Sequence, residues 1–355
     1  MEDMMKGNVA IAEAAVRAGI AVYAGYPITP STEVMEYLSA RLPDLGRTFL
    51  QAESELAAIN MVMGVSACGR RVFTASSGPG ISLKQEGISY MNQYRLPCVL
   101  LNVVRWGSGL GSLDGAQTDY LRETRGGGNG DYRNIVLCPS SVQESADLTY
   151  EAFDLAEKYR CIVEIMTDSG LGQMMEPCRL PPFREPGKCD WGLDGTYRVK
   201  RTDFLNRDIV RESDEEIARI RTMREREQRW DSFALEDADY VFVAFGMCGR
   251  VIRGVAEALR ARGERVGLLR PITAWPFPEK AFQALRTHNP GVKGFITVET
   301  NGEGQMVEDV AMYTKKHGFG DTPVYTLPFV CGVPRDEAVL AGYEAVRQGR
   351  LREVF

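Results

Sequence analysis

Short apolar runs alternating with amphipathic stretches constrain this chain more than any other feature. Ile20–Tyr23, Val72–Ala75, Cys98–Val104, Ile135–Cys138 and Cys161–Met166 read as strands, and helical spacing occupies residues 55 to 67, 81 to 95 and 143 to 158. Strands that alternate with helices make a parallel sheet with helices on both faces. The pattern stops between Pro181 and Glu236, where proline, glycine and tryptophan pieces give way to the charge-dense segment Arg211–Arg229. It resumes at Tyr240–Phe245, Val266–Leu269, Phe295–Val298 and Val324–Leu327. The expectation is an α/β protein of two domains, residues 1–182 and a smaller 237–355, joined by a charged, partly helical linker over 183–236. A chain of 355 residues exceeds what one core ordinarily serves.

Composition removes several function classes. A formal charge of −6 without a basic cluster argues against nucleic acid as a partner. No apolar run approaches the roughly 20 residues of a membrane span, and Met1–Lys6 does not open a secretory leader, so a cytoplasmic chain is expected. The eight cysteines include no Cys-x-x-Cys pair, so neither a structural zinc nor an iron–sulfur cluster is expected here, and no metal ligands are assigned. The two histidines, His288 and His317, lie too late in the chain to serve nucleophilic catalysis in its first half.

Four junctions between elements could carry chemistry. In Ala24-Gly25-Tyr26-Pro27-Ile28-Thr29-Pro30-Ser31-Thr32-Glu33 a strand feeds a rigid turn and then a helix, which predicts Thr29 at the N-cap and Pro30 at the first helical position. A helix start beyond a strand's carboxyl end suits an anionic ligand, although Thr29 could simply cap its helix. In Gln51-Ala52-Glu53-Ser54-Glu55 the two carboxylates point to nearly opposite faces. Glu55 shares its face with Ile59 and Val62, which turns it inward, where proton chemistry becomes available. Thr74-Ala75-Ser76-Ser77-Gly78-Pro79-Gly80-Ile81 is either a plain turn or a place where backbone approaches a ligand closely. Arg105 ends the run Cys98–Val104 with a planar fork suited to a carboxylate. The following Gly107-x-Gly109-x-Gly111 imitates a dinucleotide fingerprint, but its third glycine is misplaced and Ser112–Asp119 has no apolar face. Gly126–Asp131 lacks the Lys-Ser/Thr of a phosphate loop and reads as a flexible loop.

Together these stretches resemble the alpha subunit of 2-oxoacid:ferredoxin oxidoreductases over nearly the whole chain. Tyr26-Pro27-Ile28-Thr29-Pro30-Ser31 is the most specific match, and Glu299-x-Asn301-x-x-Gly304-Gln305-Met306 supports it with slightly altered spacing. Leu50–Glu55, Ser82–Tyr90, Gly130–Arg133 and Gly172–Pro177 look most like the branched-chain (2-ketoisovalerate) type, whereas Trp106 is bulkier than the residue expected there. The resemblance implies a pyrimidine-type thiamine diphosphate domain followed by a transketolase C-terminal-like domain. It implies that Thr29 and Arg105 hold the 2-oxoacid carboxylate and that Glu55 hydrogen-bonds the aminopyrimidine. Pro27, Ile28, Ser77 and Gly78 would then line the cofactor.

No Gly-Asp-Gly occurs in the chain, so magnesium and the diphosphate end would fall to a beta subunit. Iron–sulfur clusters would sit on gamma or delta subunits or domains, with coenzyme A as cosubstrate and ferredoxin as electron acceptor. Two other readings are a non-catalytic scaffold with this fold and a stand-alone dinucleotide enzyme.

Overall fold

The structure, a computed structural model, describes residues 2–193 and 208–354. Its first part runs β1 (Asp3–Lys6), α1 (Gly7–Arg17), β2 (Val22–Gly25), α2 (Thr32–Asp44), β3 (Thr48–Gln51), α3 (Glu55–Ala67), β4 (Val72–Ser76) and α4 (Gly78–Gln93). It continues through β5 (Cys98–Val104), α5 (Tyr120–Arg125), β6 (Ile135–Leu137), α6 (Val142–Tyr159), β7 (Ile162–Asp168), α7 (Ser169–Gln173) and β8 (Met175–Cys178). After the linker come α8 (Ile209–Arg226), β9 (Trp230–Phe233), β10 (Tyr240–Val243), α9 (Gly246–Ala261), β11 (Val266–Pro271) and β12 (Thr273–Trp275). The chain closes with α10 (Glu279–His288), β13 (Gly294–Glu299), α11 (Met306–Lys316), β14 (Val324–Pro328) and α12 (Asp336–Arg347).

Two main sheets result. The seven-stranded sheet has the order β12-β6-β7-β5-β4-β2-β3, parallel except for β12. Its central strands β4, β5 and β7 are buried along their whole length, as a parallel sheet covered by helices on both faces requires. The five-stranded sheet is β14-β13-β10-β11-β9, with β9 antiparallel. A separate antiparallel pair joins β1 to β8.

One strand crosses the expected division: β12 lies beyond residue 237, yet pairs with β6 at the edge of the first sheet. The apolar core crosses it too, for Val104 and Tyr120 belong to the same buried cluster as Phe245 and Met306. Of the linker, residues 194–207 lie outside the described residues. Its helix α8 is largely exposed but buries Met223, which lies 3.9 Å from the Cys161 sulfur. Cys98, Cys138 and Cys161 are buried, and burial pushes the thiols of Cys98 and Cys161 up to about 12. Among the described residues no helix is long and apolar enough to cross a membrane.

Candidate active site

The loops that leave the carboxyl ends of β2, β3, β4 and β5 form one edge of the first sheet, the position where open α/β sheets hold ligands. The loop after β2 corrects the sequence reading of its helix. Instead of Thr29 capping a helix that begins at Pro30, the peptide Thr29–Pro30 is cis and α2 begins at Thr32 behind Ser31. The reason is a local turn: the Ser31 amide and hydroxyl both donate to the Ile28 carbonyl, at 2.9 and 2.8 Å. Asn8 Nδ2 meanwhile donates to the Pro30 carbonyl at 2.9 Å. Thr29 therefore leaves its side chain exposed and offers its carbonyl inward, where it accepts from Arg105 Nη1 at 2.7 Å. Pro27 is exposed and Ile28 half-buried on the same rim.

Arg105 follows directly on β5 and is 5% exposed. Its backbone bridges to Gly115, so the loop between them folds back as an irregular segment rather than a helix. With Nη1 occupied by Thr29, its Nε has no partner among the described residues. Gly78, at a φ of +44°, faces that nitrogen: a Cβ there would stand 3.1 Å from Arg105 Nε. Two residues on, a Cβ on Gly80 would lie 2.4 Å from Glu55 Oε1 and 2.2 Å from Ser76 Oγ. Both positions require glycine, the first for its backbone conformation and the second because a side chain would collide.

Glu55 opens α3. Ser54 provides the N-cap, its hydroxyl accepting from the Ala57 amide at 3.1 Å, which leaves Glu55 free to turn inward, 4% exposed, while Glu53 stays outside. No hydrogen bond from a described residue reaches the Glu55 carboxylate. The hydroxyls of Ser76 and Ser77 are likewise buried and without partners, although Ser77 stands at the N-cap of α4 and could have capped it. A buried polar atom left unpaired is uncommon. Three such groups, on Ser76, Ser77 and Arg105, surround one glycine turn beside an unsatisfied carboxylate and a helix N-terminus. This is the donor and acceptor set of a polar, partly anionic ligand.

The structure thus brings Glu55, Ser77, Gly78, Arg105 and the Thr29 carbonyl to one edge, and it adds residues the sequence reading passed over. Arg122 donates to Asp119 and Glu123, both at 2.6 Å, and reaches the Gly78 carbonyl at 3.4 Å. Behind it, Glu123 and Glu164 are both buried, and Asn102 Nδ2 lies 3.2 Å from an oxygen of each. Burial raises both carboxyls, Glu164 the more strongly because Glu123 stands beside it. Lys84, one turn beyond Gly80, is fully buried and donates to Thr74 Oγ1 at 2.5 Å.

The second-unit motif around Glu299 fastens this edge from behind. The buried Glu299 carboxylate accepts from the amides of Gln305, Met306 and Val307 and from Asn301 Nδ2 at 2.7–3.1 Å. Burial nonetheless raises its pKa, against those donors. Gln305 then clamps the loop after Arg105, donating to the Thr118 carbonyl and accepting from the Leu121 amide, both at 2.9 Å. Gln117 Nε2 donates across to the Phe245 carbonyl at 3.0 Å.

Fold and site together define an α/β protein that gathers a glutamate, two serines and an arginine at the carboxyl edge of a largely parallel sheet. Comparison with known proteins gives the family. Residues 13–189 match the family described as pyruvate flavodoxin/ferredoxin oxidoreductase, thiamine diphosphate-binding, and residues 238–330 match pyruvate:ferredoxin oxidoreductase core domain II. The chain belongs to the 2-oxoacid:ferredoxin oxidoreductases, as a subunit of the branched-chain type.

Ketoisovalerate oxidoreductase subunit VorB of Methanothermobacter thermautotrophicus is 48% identical over 319 residues, covering 87% of this chain and 89% of that one. The 2-oxoglutarate synthase subunit KorA of Methanocaldococcus jannaschii is 34% identical, covering 88% and 92%. Among solved structures, the 2-oxoglutarate:ferredoxin oxidoreductase from Magnetococcus marinus matches the fold with a TM-score of 0.84 at 24% identity. That match covers 97% of this chain and 65% of the other. A split-gene transketolase shares the fold at a TM-score of 0.59 and 14% identity.

Proposed function

We propose that this chain is the proton-handling half of a thiamine diphosphate site, within a complex that oxidises a branched-chain 2-oxoacid to acyl-CoA, carbon dioxide and reduced ferredoxin. The observation that carries the proposal is the set of unpaired buried groups, Ser76, Ser77 and Arg105 Nε, around Gly78–Gly80 beside Glu55. Those residues fit an aminopyrimidine and a substrate carboxylate. When bound, thiamine diphosphate supplies the carbanion chemistry, and the protein supplies orientation and proton relay.

Glu55 holds the proton acceptor at Oε1, packed against Gly80. Arg105, anchored by Thr29 through Nη1, binds a carboxylate through its remaining N–H groups, a planar recognition that lysine does not reproduce. Ser77 and Gly78 line the approach, with Pro27 and Ile28 on the rim. We assign residues 1–182 to cofactor and substrate and 237–355 to support of the Arg105 loop, with 183–236 as connector.

A beta subunit carrying Mg2+ and the diphosphate end, and gamma or delta components carrying iron–sulfur clusters, complete the enzyme, with coenzyme A as cosubstrate and the cytoplasm as its place. The exposed apolar residues on the same rim, among them Leu56 on α3, Leu83 on α4 and Leu110 in the arginine loop, support docking of such a partner. The test is the complex purified with its partner subunits and assayed on a panel of 2-oxoacids with coenzyme A and a low-potential dye. The reading expects 3-methyl-2-oxobutanoate to give the highest kcat/KM. Equal activity with Arg105→Ala in place would instead make the chain a scaffold.

A further inference from the structure

A fully buried lysine is expensive, because several kcal/mol are lost when an ammonium leaves water without a close counter-charge. Lys84 is such a residue. It occupies the inward stripe of α4 with Ile81, Ile88 and Met91, all fully buried, where methionine or leucine would pack without that cost. Its hydrogen-bond partner, Thr74 Oγ1, already donates its own proton to the Ala24 carbonyl at 2.7 Å and so can only accept from Lys84. The direction of this chain is therefore fixed: Lys84 Nζ to Thr74 to Ala24.

Thr74 and Ser76 point to the same face of β4, being two residues apart on a strand. Ser76 and Glu55 in turn flank Gly80, which lies one helical turn before Lys84. The side chain of a helical residue leans toward the turn that precedes it, so Lys84 is directed beneath Gly80 and toward Glu55. The groups that face its ammonium are Thr74 from β4, the Cys98 thiol from β5 and Glu55 from α3. Cys98 stays a thiol, since burial pushes it up to about 12. Glu55 is left as the carboxyl group that answers the lysine. Arg105 instead faces Gly78, two residues earlier in the turn, where a Cβ would stand 3.1 Å from its Nε.

We propose that Lys84 is a positioning residue of the active site: seated on Thr74 beneath the glycine turn, its ammonium attracts the carboxyl group of Glu55 and holds it turned toward Gly80 and the cofactor site. The proposal rests on the reading of Glu55 given above. Burial pushes Lys84 down to about 8, so that charge is present at neutral pH and is switched off as the medium becomes alkaline.

The test is Lys84→Met in the assembled complex, with Lys84→Gln as the second variant should the first not assemble. The expected result is a fall of about tenfold in kcat at neutral pH, the scale of effect that misorienting a catalytic group produces, with KM for the 2-oxoacid within about twofold of wild type. The alkaline limb of the kcat profile near pH 8, where the wild-type Lys84 loses the charge that orients Glu55, disappears.

A second readout needs no turnover. In the cofactor-free complex, α4 peptides of Lys84→Met exchange amide hydrogens more slowly than wild type below about pH 8, and the difference closes toward pH 10, once corrected for intrinsic rates. An unmoved pH profile, or an exchange difference independent of pH, overturns the proposal. Full turnover in Glu55→Gln would sink the reading of Glu55 instead, leaving the exchange difference in place.

Discussion

Two glutamates in this molecule, Glu55 and Glu299, are almost equally buried, at 4% and 0% exposure, and differ in everything around them. Glu299 ends β13 and is satisfied by three backbone amides and an asparagine. Glu55 opens α3, receives no hydrogen bond from a described residue, and has unpaired serine hydroxyls beside it. A carboxylate whose acceptors are all taken is a fastening, whereas one left open at a strand's carboxyl end is poised for an outside donor. The contrast separates structure from chemistry where burial alone would not.

The largest effect should come from Glu55→Gln, which keeps shape and removes the proton acceptor. We expect kcat to fall by on the order of a thousandfold, within the usual range for loss of a positioned acid–base group, with little change in urea midpoint. Near-normal turnover would erase the distinction between the two glutamates. Glu299→Ala should behave in the opposite way. Stripping an acceptor from three buried amides costs about 3 kcal/mol or more, read as a lower urea midpoint, while turnover per folded complex changes little.

Arg105→Lys sharpens the comparison further: losing the fork while keeping the charge should lower kcat/KM by about 1–2 kcal/mol of binding, seen mainly in KM. A smaller effect is expected at Glu164, whose folded carboxyl is raised, so that its contribution to stability is present below its unfolded pKa and lost as pH rises through the folded value. Glu164→Gln should therefore match wild type near pH 4 and exceed it by about 1 kcal/mol at pH 8 in denaturant titrations. Thr29→Ala should be the mildest, within about 0.5 kcal/mol in stability, because the Thr29 carbonyl and not its side chain holds Arg105.

Much of this was legible in the residues. The runs at 72–75 and 98–104 became β4 and β5, and the inward turn of Glu55 followed from its spacing with Ile59 and Val62, which are buried with it. The β1–β8 pair and β12 were missed, since short strands made by partners far along the chain leave no local period to read. The start of α2 was misplaced because proline's preference for the first helical turn yielded to the Ile28–Ser31 turn. Lys84 did leave a signal: a cation interrupts the stripe Ile81, Ile88 and Met91. The sequence alone does not show that this cation is buried, and only the three-dimensional arrangement of Thr74, Gly80 and Glu55 gives it meaning.

The return of β12 to the first sheet has a consequence for how the polypeptide can be divided. Cutting near residue 237 would strip β6 of its neighbour and leave a bare row of amides and carbonyls on the leading fragment, an invitation to stick to other copies of itself. The two halves are thus laced together by a three-residue stitch, and any dissection that respects it must carry Thr273–Trp275 along with the front of the chain.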